Sequence, residues 1–342
     1  MPIINTLLQL GAKVIIASDG DALHLLKAEY PELLCLELPS YNINYKTANM
    51  FVNIAPQVPK ILRAIRLERQ FLKTIISDYQ IDAIISDNRY GLTNSQRPTV
   101  FLTHQLNILV PNRLVQAWVT RTNRKLVQKF NRCWVPDVEG EPNLSGKLSH
   151  GQNWTNVSYL GLLSRMTYQV ELPIKYDVIA VLSGPEPQRS IFEKMLIEQA
   201  KNLPQQFLIV SGKPAEQKHK ELATNITWQA YMTAKELNQA ILSSRVVIAR
   251  SGYSTVMDLV KLRCKKVLFV PTPGQTEQEY LAQRFYEKQQ FYYQEQQNLN
   301  LKEALKTMEK FSGIQEGSWD NNSILETTIL DFLNHLTPSI KS

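Results

Sequence analysis

The sequence predicts an α/β protein of two domains, each a parallel sheet wrapped by helices. Three observations predict it. A length of 342 residues exceeds one ordinary core and suits two of roughly 150 residues each. Short apolar runs rich in β-branched residues alternate with helical patterns, as βαβ units require. Most of those runs end at small, polar or Gly/Pro residues, the composition of loops at the carboxyl edge of an open sheet, where ligands bind.

The strand runs of the first half are 13–17, 33–37, 83–86, 99–103 and 132–135; those of the second are 178–182, 206–210, 226–228, 246–249 and 266–270. They end at Ser86-Asp87, Thr103-His104, Ser183-Gly184, Ser211-Gly212, Arg250-Ser251-Gly252 and Pro271-Thr272-Pro273-Gly274. The chain opens on a helix: Pro2 suits a first turn, Ile3, Ile4, Leu7 and Leu8 form an apolar face, and Gly11 stops it. A doubly wound domain ordinarily opens on a central strand, so the first domain is expected to lack its first strand. The boundary falls after the last strand of the first half. This gives an N-terminal domain 1–160, a linker 161–175, a C-terminal domain 176–320 and a final segment 321–342 whose helical pattern runs over 323–336.

Hydrophobic residues at 44% and charged residues at 20% describe a folded globular chain. No apolar run approaches the ~20 residues that span a bilayer. The start has no basic segment followed by an apolar stretch, so no secretory signal is read. Cys35, Cys133 and Cys264 are widely separated among apolar neighbours and give neither a disulfide framework nor metal-ligand spacing. Buried thiols in a reducing cytoplasm, and no metal site, are the expectation.

The formal charge is +7, concentrated in the first half. No acidic residue lies between Asp87 and Asp137, whereas Arg89, Arg97, Arg113, Arg121, Arg124, Lys125, Lys129 and Arg132 do. Arg63, Arg66, Arg69 and Lys73 share one helical stripe beside Ile61, Leu62, Ile65, Leu72 and Ile76, and Trp118 lies over Arg121 and Lys125 at helical spacing. A basic face with an interfacial aromatic suits peripheral docking on an anionic membrane. There is no helix-turn-helix, zinc or RNP-type motif, so nucleic acid is not an expected partner.

The densest chemistry follows two strands of the second half. In Ala249-Arg250-Ser251-Gly252-Tyr253-Ser254-Thr255-Val256-Met257-Asp258, a strand enters a Ser-Gly turn, and Ser254 or Thr255 can start the next helix. Backbone N–H groups at such a start cradle a diphosphate, and Asp258 is placed to accept hydrogen bonds from a ribose diol. The next loop, Pro271-Thr272-Pro273-Gly274-Gln275-Thr276-Glu277-Gln278-Glu279, carries amides and carboxylates suited to sugar hydroxyls. Each loop alone is compatible with an ordinary strand-helix connection.

Together these loops resemble the C-terminal domain of glycosyltransferase family 28, the MurG-like UDP-N-acetylglucosamine transferases. The likeness is densest over 250–283. It implies two Rossmann-like domains facing a cleft, the GT-B arrangement, and a donor site made by Arg250, Ser251, Gly252, Ser254, Thr255, Asp258, Gly274, Gln275, Gln278 and Glu279. Asp258 stands where the family usually has Glu, and Gln278 and Glu279 match the positions that hold the donor sugar. Ser183 and Gly184 fall on the family's phosphate loop. Pro185 and Pro187 depart from it and remove two N–H donors, which leaves Arg189 as a diphosphate clamp. Gly161-Leu162-Leu163-Ser164-Arg165 resembles the interdomain segment whose arginine approaches the donor phosphate, making Arg165 that residue. Phe101-Leu102-Thr103-His104-Gln105-Leu106-Asn107 resembles the acceptor-side segment, with His104, Gln105 and Asn107 as candidates.

The resemblance implies an inverting, metal-independent transfer of a hexose from a UDP-sugar to a lipid-linked or cell-envelope glycan acceptor, without a cofactor. The family's Gly-x-Gly-His loop, whose histidine suits the acceptor base, has no counterpart. The chain starts just past that feature, as a shortened gene reading would, with a degenerate transferase as the other explanation. Asp87 and His104 are the remaining candidates for the base. A sugar-nucleotide 2-epimerase of the same architecture, or a nucleotide-sugar-binding protein without catalysis, are the competing readings.

Overall fold

The computed structural model describes residues 1–40, 58–110, 112–170, 172–213, 219–314 and 322–336. The expected linker and final segment are therefore described only in part. The chain divides into two compact units, Met1–Leu163 with Asn321–Ser342, and Ser164–Asp320. The division falls at 163/164, within 161–175, and the segment Asn321–Ser342 belongs to the first unit.

The first unit opens with α1 (Pro2–Gln9), its proline in the first turn, and the chain turns beyond it at Gly11, φ +81°. Strand β1 (Ile16–Ser18), α2 (Gly20–Glu29) and β2 (Cys35–Glu37) follow, β1 and β2 pairing in parallel. After α3 (Val58–Tyr79) come β3 (Ile84–Asp87), β4 (Thr99–Leu102), α4 (Arg113–Val127), β5 (Arg132–Val135) and β6 (Val157–Tyr159). Strands β3 to β6 form one parallel ladder in chain order. Among the described residues no strand joins the β1–β2 pair to that ladder. Side chains and one ion pair join them instead: Ala17 and Leu36 pack into the cluster of Leu72, Ile75, Ile84 and Leu92, and Arg89 after β3 holds Asp19 after β1.

The second unit builds β7 (Tyr176–Val181), α5 (Gln188–Ala200), β8 (Phe207–Val210), β9 (His219–Ala223), β10 (Ile226–Gln229), α6 (Ala234–Leu242), β11 (Ser244–Ala249), α7 (Tyr253–Lys261), β12 (Val267–Phe269), α8 (Thr276–Glu287), β13 (Tyr292–Tyr293) and α9 (Leu301–Thr307). Its seven-stranded sheet has the order β13-β12-β11-β7-β8-β10-β9, with only β9 antiparallel to its neighbour. Strands β8 and β12 are buried throughout, as a parallel sheet covered on both faces requires. On one face Val178, Ala180, Ile209, Ile248 and Leu268 meet Phe192 and Leu196 of α5 and Leu301 and Ala304 of α9.

All ten expected strands exist: the one at 132–135 has the expected bounds, and the other nine differ at one or both ends by one to three residues. Sequence reading missed β6, β9 and β13. β13 has only two residues, and β9 is an exposed edge strand of sequence His-Lys-Glu-Leu-Ala, which carries no apolar period.

The last helix, α10 (Asn322–Asn334), returns to the first unit. Leu325, Ile329 and Phe332 pack with Ile3 and Leu7 of α1 and with Val100, Trp134 and Leu160. Arg132 adds an ion pair to Asp331 at 2.6 Å and lies over the Phe332 ring. Ile329 is fully buried, so Ile329→Ala is expected to lower the unfolding free energy by about 2–4 kcal/mol in a urea titration. Leu330→Ala, on the exposed side of the same helix, should change it by no more than about 0.5 kcal/mol.

Candidate nucleotide-binding edge

In the second unit the strand order reverses at β7. The chain moves outward through β8 and β10, then returns to pair β11 on the other side of β7 and continues to β12. Because β8, β7, β11 and β12 run parallel, their carboxyl ends share one edge. In open parallel sheets ligands bind where the order reverses, here between the loops after β7 and β11. Those loops hold Ser183-Gly184 and Arg250-Ser251-Gly252.

Ser183 and Gly184 are exposed, and Gly184 has φ +99°, a conformation that favours glycine. Helix α7 starts at Tyr253 with Gly252 as its N-cap, earlier than the Ser254 or Thr255 start expected. No side chain caps it, and the helix offers no acceptor to the N–H groups of its own first turn, which includes Ser254 and Thr255. Gly252 has an ordinary φ of −67°, and a Cβ there would meet nothing nearer than Gln278 Nε2 at 4.0 Å. Internal packing does not require glycine at this position. Glycine leaves bare, partly exposed backbone at this turn.

Several residues expected to touch the donor are instead spent on holding the loops. Arg250 is 1% exposed. Its Nη1 donates to the carbonyls of Val270 and Pro271, and its Nη2 donates to Gln188 O and Gln296 Oε1. Gln278 is likewise buried: its Oε1 accepts from Thr272 N–H at 2.8 Å, its Nε2 donates to Gln275 Oε1, and its carbonyl accepts from Ser251 Oγ. These bonds fix the 272–275 turn, with Gly274 at φ +79° donating its N–H to Glu279 Oε1. Gln275 and Glu279 keep exposed surface; Gln278 does not. Arg189 gives two bonds to Glu186 and one to the Gly212 carbonyl, so its charge is largely neutralised. It ties two loops together and is not a free clamp.

Asp258 sits half-buried two turns into α7. Ser164 Oγ donates to its Oδ1 at 2.5 Å, and Ser164 in turn accepts from Met166 N–H. Burial raises the Asp258 pKa above the usual carboxylate value, with the Ser164 bond and the nearby positive charge of Arg165 opposing. Arg165 itself is exposed. Sequence reading missed the neighbouring buried Glu193, which accepts from Ser211 Oγ, Lys213 Nζ and Trp228 Nε1 and braces the loop after β8. A buried glutamate one helical turn after Arg189 carries no sequence signal of its own.

In the first unit, Asp87 and His104 stand at the carboxyl ends of the adjacent parallel strands β3 and β4. Desolvation raises the Asp87 pKa, with the N-terminal amine and His104 opposing. Gln105 keeps partial exposure. Asn107 is buried, and its Nδ2 donates to the Lys147 and His150 carbonyls, so it pins the loop after β5 and is not presented to an acceptor. That loop is built on fully buried Asp137, which accepts from the N–H groups of Val138, Leu144 and Ser145, from Ser145 Oγ and from His150 Nε2. These bonds hold its pKa down against the burial that would raise it. Sequence reading missed this cluster. The signal available was a run of Asp, Ser, Ser and His in a Gly/Pro-rich loop straight after an apolar strand. Among the described residues no group of three or more His, Cys, Asp or Glu could hold a metal ion.

Residues 178–323 match the glycosyltransferase family 28 C-terminal domain. No curated protein matches the chain. The matched region runs from within β7 through the rest of that sheet, with every loop of its carboxyl edge described above. Among solved structures, a glycotransferase of kitacinnamycin has TM-score 0.64 at 13% identity, covering 98% of this chain and 94% of that one. MurG of Acinetobacter baumannii has TM-score 0.55 at 13% identity, again over 98% and 94%. A putative UDP-N-acetylglucosamine 2-epimerase of Listeria monocytogenes has TM-score 0.59 at 11% identity, over 100% and 93%. At such identities the likeness establishes the fold, which is GT-B.

The raised pKa of Asp258 has a signed consequence. A folded-state value above the unfolded one means that ionisation at neutral pH opposes folding, and that this cost disappears as pH falls through the folded value. Asp258→Asn, which can still accept from Ser164, should therefore melt at or above the wild-type temperature at pH 8. The difference should shrink toward pH 4, as read by thermal denaturation at both pH values.

Proposed function

We propose that the protein transfers a hexose from a nucleotide-sugar to an acceptor hydroxyl, with UDP-N-acetylglucosamine as the donor and a lipid-linked or cell-envelope glycan as the acceptor. The carrying observation is the pair of bare turns at Ser183-Gly184 and Gly252 on either side of the strand-order reversal, inside a domain that matches family 28. The diphosphate lies against the uncapped start of α7, the ribose diol bonds Asp258, and Gln275 and Glu279 face the sugar. The acceptor oxygen bonds to the anomeric carbon from the side opposite the nucleotide, the bond from that carbon to the phosphate oxygen breaks, and the configuration inverts. Charge growing on the leaving diphosphate is met by the α7 amides and Arg165, so the step calls for no metal ion or other cofactor. The candidates for the base that takes the acceptor proton are Asp87 and His104, and burial makes Asp87 a stronger base than an ordinary aspartate.

The acceptor side supports a membrane location at the inner face of the plasma membrane. Leu114 and Trp118 on α4 are 83% and 68% exposed, and Arg121 and Lys125 continue the same face. On α3, Leu62 and Leu67 are exposed beside Arg63, Arg66 and Lys73, whereas Arg69 is partly covered. Among the described residues no helix is long and apolar enough to cross a membrane. Apolar anchors set among cations suit docking on an anionic leaflet, where a lipid-linked acceptor resides.

A second reading, epimerisation of the nucleotide-sugar, is supported by the likeness to the Listeria monocytogenes protein. The two separate by product: a transferase releases UDP, an epimerase returns a nucleotide-sugar. A thermal-shift panel of UDP-, GDP- and dTDP-sugars should raise the melting temperature for at least one donor, and Asp258→Ala should abolish the shift. A flat panel would remove the donor-site reading. Replacing Arg121 and Lys125 by Gln should weaken binding to anionic vesicles, read by sedimentation, by about 2 kcal/mol, near 1 per charge removed, and leave binding to neutral vesicles unchanged.

A further inference from the structure

The guanidinium of Arg250 is a buried charge that the protein leaves uncompensated. It is 1% exposed, and among the described residues no carboxylate pairs with it. Its partners are three carbonyls and one side-chain amide oxygen, with the Phe192 ring 4.3 Å from the guanidinium carbon. Nε has no partner at all. Burial lowers its pKa to about 10, which still leaves it protonated at neutral pH. Buried ions are ordinarily paired, because a lone one forfeits its hydration without return.

Its position gives that charge a use. The bonds reach Gln188 at the start of α5, beyond the Ser183-Gly184 loop, and Val270 and Pro271 at the start of the third loop, while Arg250 itself precedes the Gly252 turn. The guanidinium thus sits at the junction of the three loops of that edge. A second buried donor on the same edge also lacks a partner: Thr272 Oγ1, which stands 3.4 Å from where a Cβ on Gly184 would be. Two buried donors without a partner, Arg250 Nε and Thr272 Oγ1, thus lie beneath the turns of this one edge.

We propose that Arg250 is the fixed counter-charge of the nucleotide site, setting affinity for the diphosphate and not for the nucleoside. This rests on the nucleotide-sugar reading above. Arg250 acts through the loop layer without touching the ligand, so it is a positioning residue whose charge is felt at a distance. A unit charge ~8 Å from a phosphate, through an effective dielectric of ~20, corresponds to roughly a thirtyfold change in affinity.

The test is titration calorimetry of UDP and of uridine against the full chain, wild type and with Arg250→Met or Arg250→Lys. The Met variant is expected to bind UDP about 10- to 100-fold more weakly and uridine within about threefold of wild type, with the Lys variant retaining most of the UDP affinity. Equal losses for UDP and uridine in the Met variant would overturn the proposal, because they would reduce Arg250 to a brace for the loops. So would a loss of UDP affinity in the Lys variant as large as in the Met variant. If Arg250→Met does not fold, Arg250→Gln is judged by the same UDP-to-uridine ratio. A wild-type protein that binds uridine but not UDP overturns the counter-charge alone. One that binds neither overturns the nucleotide reading and this proposal with it.

Discussion

The parallel pairing of β11 with β7 is the constraint on which the candidate site depends. Among the described residues of the second unit, it is the ladder that places side by side two strands far apart in the chain and on opposite runs of the winding. Without it the turn at Gly252 and the loop at Gly184 would belong to separate edges, and no candidate site would lie between them. The pairing is secured from below by an unbroken apolar layer, Val246 to Ala249 against Val178 to Val181. The chemistry of the edge can therefore be polar and glycine-rich because the strands beneath it are neither.

Within that edge, most polar side chains serve the protein before they serve a ligand. Gln278 and Arg250 spend their hydrogen bonds on the carbonyls and amides of neighbouring loops, Arg189 is neutralised by Glu186, and Glu193 gathers three donors under the loop after β8. This follows from the cost of leaving a buried polar group unsatisfied, which exceeds the gain from making the bond. The outcome is a rim whose remaining accessible side chains, Asp258, Gln275 and Glu279, each already hold one bond within the protein.

The alternation of strands and helices was legible in the sequence because parallel strands buried on both faces read as short continuous apolar runs. The turns at Gly184, Gly252 and Gly274 were legible because strand ends carry their chemistry in the next three residues. Which polar residues stay exposed at that edge was not legible. Gln278 and Glu279 are adjacent in the chain, yet one side chain is folded under the 272–275 turn and the other is exposed. Helical geometry turns neighbours by ~100°, and only the packing of the turn decides which of the two is covered. Asp137 illustrates the same limit: its five donors come from a loop with no periodic pattern, so nothing local marks it as the centre of that loop.

The return of α10 to the first unit means that the second unit is inserted within the first along the chain. During synthesis on the ribosome, every strand and helix of the inserted unit emerges before the helix that supplies Leu325, Ile329 and Phe332 to the earlier one. The order in which the units complete their cores is thus the reverse of the order in which they begin, unlike a string of domains that mature from the amino end. Until α10 arrives, Ile3, Trp134 and Leu160 wait without their cover, and a nascent chain in that state presents an open apolar face to whatever chaperones attend it.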